Sequence, residues 1–423
     1  MKIITFKIVI GIIFGCFGVY AQDMDDVRKN ISMLTSAKFA GRGYTDSGDK
    51  TTELFIIKKL KKLHLQSPIQ GFSQSFNLSV NTFPSEPQLY INGKKLQCAL
   101  DYLPAPYTSK IKGRFDIIHL DRIIILDSLK LKNFFTNDYS NKFVYIDTTG
   151  VSNNTLSESL MKSCLQGNFL RASGYLEPAK TLMHGVSNER VDWTHIYLRQ
   201  DIQLEQNSKI EIDVQPVFEA NYISQNILGI IPGKVDSFLV FTAHYDHLGK
   251  IGKDIIFPGA NDNASGVSML LELAKNFSLQ KSKPKYSIAF IFFGAEELGL
   301  VGSTYFVNNP MLELQKIKVL INLDVIGSGD EGIRVVNGIE CKKVFHQLDS
   351  LNKTKNLLPV VAAKKNRPNS DHFPFSQKKI PAIFIYTQGA YKFYHVPQDK
   401  ADVLPLNKFP ELFQLLLMFV EVQ

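Results

Sequence analysis

Four short apolar runs do most to limit what this chain can fold into: FLVFTA (238–243), SIAFIFF (287–293), KVLINL (318–323) and PAIFIY (381–386). Runs of this length read as strands buried on both faces. Helical stretches separate the first three, notably ASGVSMLLELAKNF (264–277), where Val267, Leu270, Leu271 and Ala274 share one face. Strand, helix, strand alternation implies an α/β fold, a mostly parallel twisted sheet flanked by helices.

The remaining text is organised around that core. Residues 24–65 carry a helical apolar period through Leu54, Phe55, Ile57, Leu60 and Leu63, broken by the glycine-rich turn FAGRGYTDSGD. From about Phe72 to Phe218 the pattern changes to short β-like runs such as KFVYID and KIEIDVQPVF. The expected division is a leader at 1–21, an N-terminal part of the α/β domain at 22–79, an inserted β-rich module at 80–215, and the main α/β domain at 216–423.

In such sheets ligands bind beyond the carboxyl ends of the strands, so the residues directly after each apolar run matter most. His244 and Asp246 follow the first run, Glu296 and Glu297 the second, Asp324 the third and His395 the fourth; Asp262 precedes the 264–277 helix in the turn PGANDNASG. Imidazoles and carboxylates on one rim suit zinc and related ions. Even with one glutamate of the doublet and Asp246 set aside, five ligand candidates exceed what one tetrahedral ion needs, and a carboxylate shared between two ions can hold them about 3.5–4 Å apart. Asp262 is the candidate bridge, because its glycine-flanked turn lets backbone come close. In the Glu296–Glu297 doublet, one carboxylate can bind metal while the other stays free as a general base of raised pKa.

The motifs HYDHLG, GANDNASG, GAEELGLVGS, INLDVIG and YHVPQD stand in the order and spacing of the di-zinc aminopeptidase family, which this sequence resembles over 221–423. That family includes bacterial leucyl aminopeptidases, aminopeptidase Y and, more distantly, glutamate carboxypeptidase. FAGRGYTDSG resembles an N-terminal motif often found there. The resemblance implies a zinc-exopeptidase fold and two Zn2+ ions per chain, with Asp262 bridging, His244 and Asp324 completing one site, and Glu297 and His395 the other. It also implies Glu296 as the base, Asp246 as the carboxylate orienting His244, and Asp399 in the same role for His395. Lys400 and Val325 depart from the family's usual threonine and methionine without removing a ligand. SDHFPF (370–375) resembles a family pocket segment, but Asp371 and His372 stay outside the ligand set, as does His247, which reads as a rim residue. Segment 80–215 falls where some members insert a protease-associated-type domain, and is expected to act as a lid or substrate-restricting module.

The implied activity is removal of amino-terminal residues from peptide substrates. Carboxypeptidase and glutaminyl cyclase chemistry share the fold, but cyclases resembling this family use a single zinc, against the full ligand set here. An inactive binding protein on a peptidase scaffold is the alternative from another class, and such scaffolds lose ligands. Export is expected from Lys2, Lys7, the apolar run Ile8–Tyr20 and a cut after Ala21. That run is shorter than the roughly 20 residues of a membrane span, and Cys16 leaves lipoprotein anchoring as a lesser option. The net charge of +8 falls to +6 without the leader lysines. With no aromatic-interleaved basic stripe, no nucleic-acid partner is expected. Beyond the leader stand Cys98, Cys164 and Cys341; Cys98 with Cys164 is the pair to test for a disulfide, against three free thiols.

Overall fold

A computed structural model describes residues 22–151 and 154–423; the expected leader lies outside them. Eight strands form the larger sheet, in the spatial order Ser73–Thr82, Val217–Ile231, Tyr286–Phe293, Val235–His244, Ile317–Leu323, Ala382–Gln388, Gly332–Val336 and Val361–Lys364. The four central strands, those of the four apolar runs, lie parallel. Antiparallel neighbours flank them, since Val217–Ile231 pairs antiparallel with Tyr286–Phe293, and Gly332–Val336 with Ala382–Gln388.

Alternation along each central strand explains why the runs are apolar throughout. Phe290, Phe241 and Ile321 point into one core with the helices Met24–Leu34, Gly48–Lys62, Ser265–Ser278 and Phe409–Glu421. Ile291, Val240 and Leu320 point the other way, onto Phe306 and Phe375 of the short helices Val301–Asn308 and His372–Gln377. Both faces are therefore dry, and the polar residues these strands need appear only where they end.

Segment 88–214 builds a second eight-stranded sheet, accompanied by the helices Arg122–Ile125, Ser128–Phe134 and Asn154–Gly167. One face packs on those helices through Val144, Ile146 and Tyr175. The opposite face, with Phe143, Leu176 and Ile196, shares its core with Leu248, Ile251 and Phe257 of the larger unit. The two sheets are thus joined by common apolar burial.

This arrangement decides the cysteines against a bridge. Cys98 is buried on the face that meets the larger unit and Cys164 on the helix-covered face, so a sheet separates them, and all three cysteines are free thiols. Burial pushes the Cys98 and Cys164 thiols up to about 12, which keeps them protonated and unreactive. Thiol titration of the chain without its leader, unfolded in guanidinium without reductant, should count all three of Cys98, Cys164 and Cys341. A count of one would restore a disulfide.

Candidate metal centre

The carboxyl ends of the central strands bring the candidate ligands to one point. His244 is the last residue of its strand, and its Nε2 lies 3.2 Å from Asp262 Oδ1 and 3.2 Å from Asp324 Oδ1. On the other side of Asp262, His395 Nε2 lies 3.2 Å from Asp262 Oδ2 and 3.3 Å from Glu297 Oε2. The two oxygens of Asp262 therefore face different imidazoles. Tetrahedral zinc with bonds of about 2.0–2.2 Å separates its ligand atoms by roughly 3.3 Å, which these four imidazole–carboxylate spacings suit; the ligand atoms of His244, Glu296 and Asp324, and of His244, Asp262 and Glu297, also lie within 4.8 Å of one another. His395 Nε2 is buried and makes no aligned hydrogen bond despite these short contacts, as expected of a nitrogen aimed at a cation. The residues present fit two ions sharing Asp262.

The terminal carboxylates each have one oxygen tied back. Asp324 Oδ2 accepts from Ser370 Oγ at 2.9 Å, at the end of a buried chain in which Thr242 donates to Asn322 and Asn322 donates to Ser370. Glu297 Oε1 accepts from His247 Nδ1 at 2.7 Å. Each thus presents its second oxygen to the centre. Asp262 keeps both oxygens forward, the requirement for a bridge.

The motif residues around Asp262 hold its turn. Arg42, fully buried, donates through its guanidinium to the carbonyls of Leu34, Tyr245, Pro258, Gly259 and Asp262. Burial pushes Arg42 down to about 10, with nearby Asp262 and Asp399 opposing, so it stays charged near neutrality. It can reach because Gly41, at φ +61°, lets the chain pass Gly249; a Cβ there would stand 2.1 Å from the Gly249 carbonyl oxygen. Asn261 Oδ1 accepts from Gly327 N–H and Ser265 Oγ from Ile326 N–H, which join this turn to the loop after Asp324. Ala295, Val325 and His395 hold φ of 58°, 54° and 57° beside or at ligand positions. Non-glycine residues seldom adopt this strained conformation, which concentrates at functional sites.

Asp246 lies behind His244, its Oδ1 3.6 Å from Nδ1 and its main-chain oxygen nearer at 3.2 Å. Its carboxylate also accepts the Glu296 and Glu297 main-chain N–H groups at 3.1 and 3.3 Å, so it seats the doublet as well. Asp399 takes a different position from the expected one. It accepts from the Asn261 and Asp262 N–H groups and from the Tyr391 hydroxyl, because the loop after His395 folds beneath the Asp262 turn. His247 is likewise no rim residue, being fully buried between the ligand loops. His372 faces away, with Nε2 3.1 Å from Asn366 Oδ1. Asp371 is buried, and burial pushes it up to about 7. Sequence reasoning also passed over Arg42 and Ser370, although FAGRG and SDHFPF were the signals that could have found them.

The doublet divides as its two environments require. Burial raises the Glu296 carboxyl well above the usual range; His244 opposes this, and Asp371, Asp324 and Glu297 add to it. Burial would raise Glu297 too, but His395 and the His247 hydrogen bond outweigh it and hold the group below its usual range. Glu296 Oε2 stands 4.0 Å from His244 Nε2, beyond the ligand spacing of a tetrahedral ion.

With this geometry in place, the comparisons are consistent. Residues 226–420 match the model of peptidase family M28. Aminopeptidase YwaD of Bacillus subtilis (strain 168) is 34% identical over 194 residues, 43% of this chain and 41% of that protein. Leupeptin-inactivating enzyme 1 of Streptomyces exfoliatus is 34% identical over 140 residues, 31% of this chain and 30% of that protein. The matched part of this chain thus spans less than half the length of these relatives. Among solved structures, BSAP, a zinc aminopeptidase from Bacillus subtilis, superposes with a TM-score of 0.69 at 21% identity, covering 94% of this chain and 95% of that one. An aminopeptidase from Aneurinibacillus sp. strain AM-1 gives 0.64 at 19% identity, covering 95% and 93%. Both share the fold.

Two expectations follow. Arg42→Met leaves buried carbonyls without donors and should lower the unfolding free energy by about 3 kcal/mol or more in urea titration; a loss under about 1 kcal/mol would contradict the role given to Arg42. In the metal-free protein burial lowers the pKa values of both imidazoles, but Asp324 and Glu296 raise His244 well above its usual range, and Glu297 and Asp262 bring His395 to about 11. A bound ion displaces those protons, so zinc affinity should weaken as pH falls. Calorimetry near pH 7 in buffers of differing ionisation enthalpy should report release of about two protons, whereas a buffer-independent heat would contradict the assignment.

Proposed function

We propose, from the premise that residues 226–420 form a peptidase family M28 domain, that this protein is an exported two-zinc aminopeptidase. The observation that carries the two-ion reading is the Asp262 carboxylate, whose oxygens lie 3.2 Å from His244 Nε2 and 3.2 Å from His395 Nε2 respectively. His244 and Asp324 would complete one ion and Glu297 and His395 the other, with Asp246 orienting His244. Bound there, zinc would supply the positive charge that polarises a scissile carbonyl and acidifies water.

The chain's own groups account for the proton. Glu296, whose Oε2 stands farther from His244 Nε2 at 4.0 Å than Asp262 and Asp324 do at 3.2 Å, would take a proton from water as the oxygen attacks the peptide carbonyl. The same carboxyl returns it to the leaving amine nitrogen as the C–N bond breaks. Asp246 keeps Glu296 in place through the main-chain hydrogen bond of 3.1 Å.

Charge supports the amino end as the one recognised. With two dications bound, the four carboxylates Asp262, Glu296, Glu297 and Asp324 would be balanced in charge, and the amino end would be met as a neutral amine able to share its lone pair with an ion. Arg42 is the only buried Arg or Lys among the described residues, and its guanidinium is occupied by main-chain carbonyls, so it offers nothing to a substrate carboxylate. The names of the aminopeptidase relatives point the same way.

The insertion at 80–215 is proposed to wall the site and restrict substrates. His184 donates its main-chain N–H to the His395 carbonyl at 3.0 Å, and its ring stacks on Phe257 at 4.5 Å. Beside them Met183 and Tyr394 are exposed at the rim. Export rests on the leader at 1–21; among the described residues no helix is long and apolar enough to cross a membrane.

Peptide libraries with free or acetylated amino ends, incubated with the zinc-loaded protein, should lose residues stepwise from free amino ends alone. Trimming from the carboxyl end would make it a carboxypeptidase. Glu296→Gln should retain both zinc ions and lower kcat by at least about 100-fold, while near-normal turnover would remove Glu296 from the mechanism.

A further inference from the structure

We infer that His247 is a positioning residue that restricts Glu297 to one metal-binding oxygen, and so keeps a coordination position open at the ion held by Glu297 and His395. The inference rests on the two-zinc reading above and extends it to a residue that touches no ion.

His247 is fully buried, although it lies in a polar loop just beyond a strand end. Its Nδ1 is 2.7 Å from Glu297 Oε1. In this contact the carboxylate oxygen is the acceptor, which assigns the hydrogen to Nδ1. The other oxygen, Oε2, is 3.3 Å from His395 Nε2, and His247 Nδ1 also stands 4.0 Å from Asp262 Oδ1.

Packing fixes the imidazole as firmly as the hydrogen bond does. Gly259, in the Asp262 turn, lies so close that a Cβ there would stand 2.4 Å from His247 Cδ2. The His395 ring meets the His247 ring edge-on at 5.8 Å between centroids, and the His247 main-chain N–H donates to the Arg42 carbonyl at 3.2 Å. His247 is therefore wedged among the loops that carry Asp262, Glu297 and His395, and cannot turn away from Glu297 without disturbing one of them.

The role matches a device already present at the other ion, where Ser370 Oγ ties back Asp324 Oδ2 at 2.9 Å. An untied carboxylate loses the fixed aim that supports metal affinity, and it can swing its second oxygen into the position that water or a substrate amine needs. A catalytic zinc must keep that position open. Ser370 and His247 are thus two solutions to one requirement, placed on opposite sides of Asp262.

The test compares zinc affinity by chelator competition, with bound metal counted by mass spectrometry, in wild type, His247→Leu and His247→Asn. Leucine has no donor, whereas the asparagine amide nitrogen can stand near Nδ1. His247→Leu should weaken one of the two ions by about 10–100-fold and leave the other unchanged, with His247→Asn recovering most of the loss. Two ions at wild-type affinity in the leucine variant would overturn the proposal alone, as would an asparagine variant no better than leucine. A wild type holding a single zinc would overturn the two-ion reading and this proposal with it. If the leucine variant does not fold, selective 15N-imidazole labelling of the zinc-loaded wild type decides: His247 should carry its proton on Nδ1, and a proton on Nε2 alone overturns the inference.

Discussion

The centre depends on the Asp262 carboxylate, whose two oxygens each meet a different histidine. Asp262 directs both oxygens at imidazoles, 3.2 Å away on each side, while Asp324 and Glu297 stand beyond them. Collecting these carboxylates in a buried site costs several kcal/mol per uncompensated charge, and the two histidines offset part of it by holding protons. On the two-ion reading proposed here, a pair of dications would replace those protons with greater charge at the same points, and metal binding and the stability of this end of the sheet would be one linked quantity.

Everything around Asp262 serves to keep it there. The Arg42 guanidinium gathers the main-chain carbonyls of the turn, Asp399 accepts the turn's N–H groups, and Asn261 and Ser265 fasten it to the loop after Asp324. This scaffold is polar, buried and paired, so it rigidifies without adding a free charge. The strained φ values at Ala295, Val325 and His395 are tolerated because such pairing over-determines the loops.

Much of this was legible in the sequence, for a physical reason. A parallel sheet buried on both faces admits polar residues only at its ends, so His244, Glu296, Glu297, Asp324 and His395 announce themselves by following apolar runs. What was not legible depends on how the loops fold back. His247 sits in the same motif as His244, and nothing in HYDHLG says that its ring turns inward to Glu297 and not out to solvent. Asp399 is near His395 in the chain but lies beneath Asn261 and Asp262. Cys98 and Cys164 belong to one segment, yet Cys164 lies in the helix Asn154–Gly167 that covers one face of the second sheet while Cys98, just after the strand Lys94–Leu96, packs into the core on the other. Segment 88–214 also joins its core to Leu248, Ile251 and Phe257, a union that its short, weakly patterned runs do not reveal.

The most direct test of the two-ion centre is anomalous diffraction from crystals of the zinc-loaded protein, with data collected on either side of the zinc absorption edge. Two peaks about 3.5–4 Å apart are expected, each in contact with a different oxygen of Asp262, one beside His244 and Asp324 and the other beside Glu297 and His395. A single peak, or a second one that does not touch Asp262, would contradict the account.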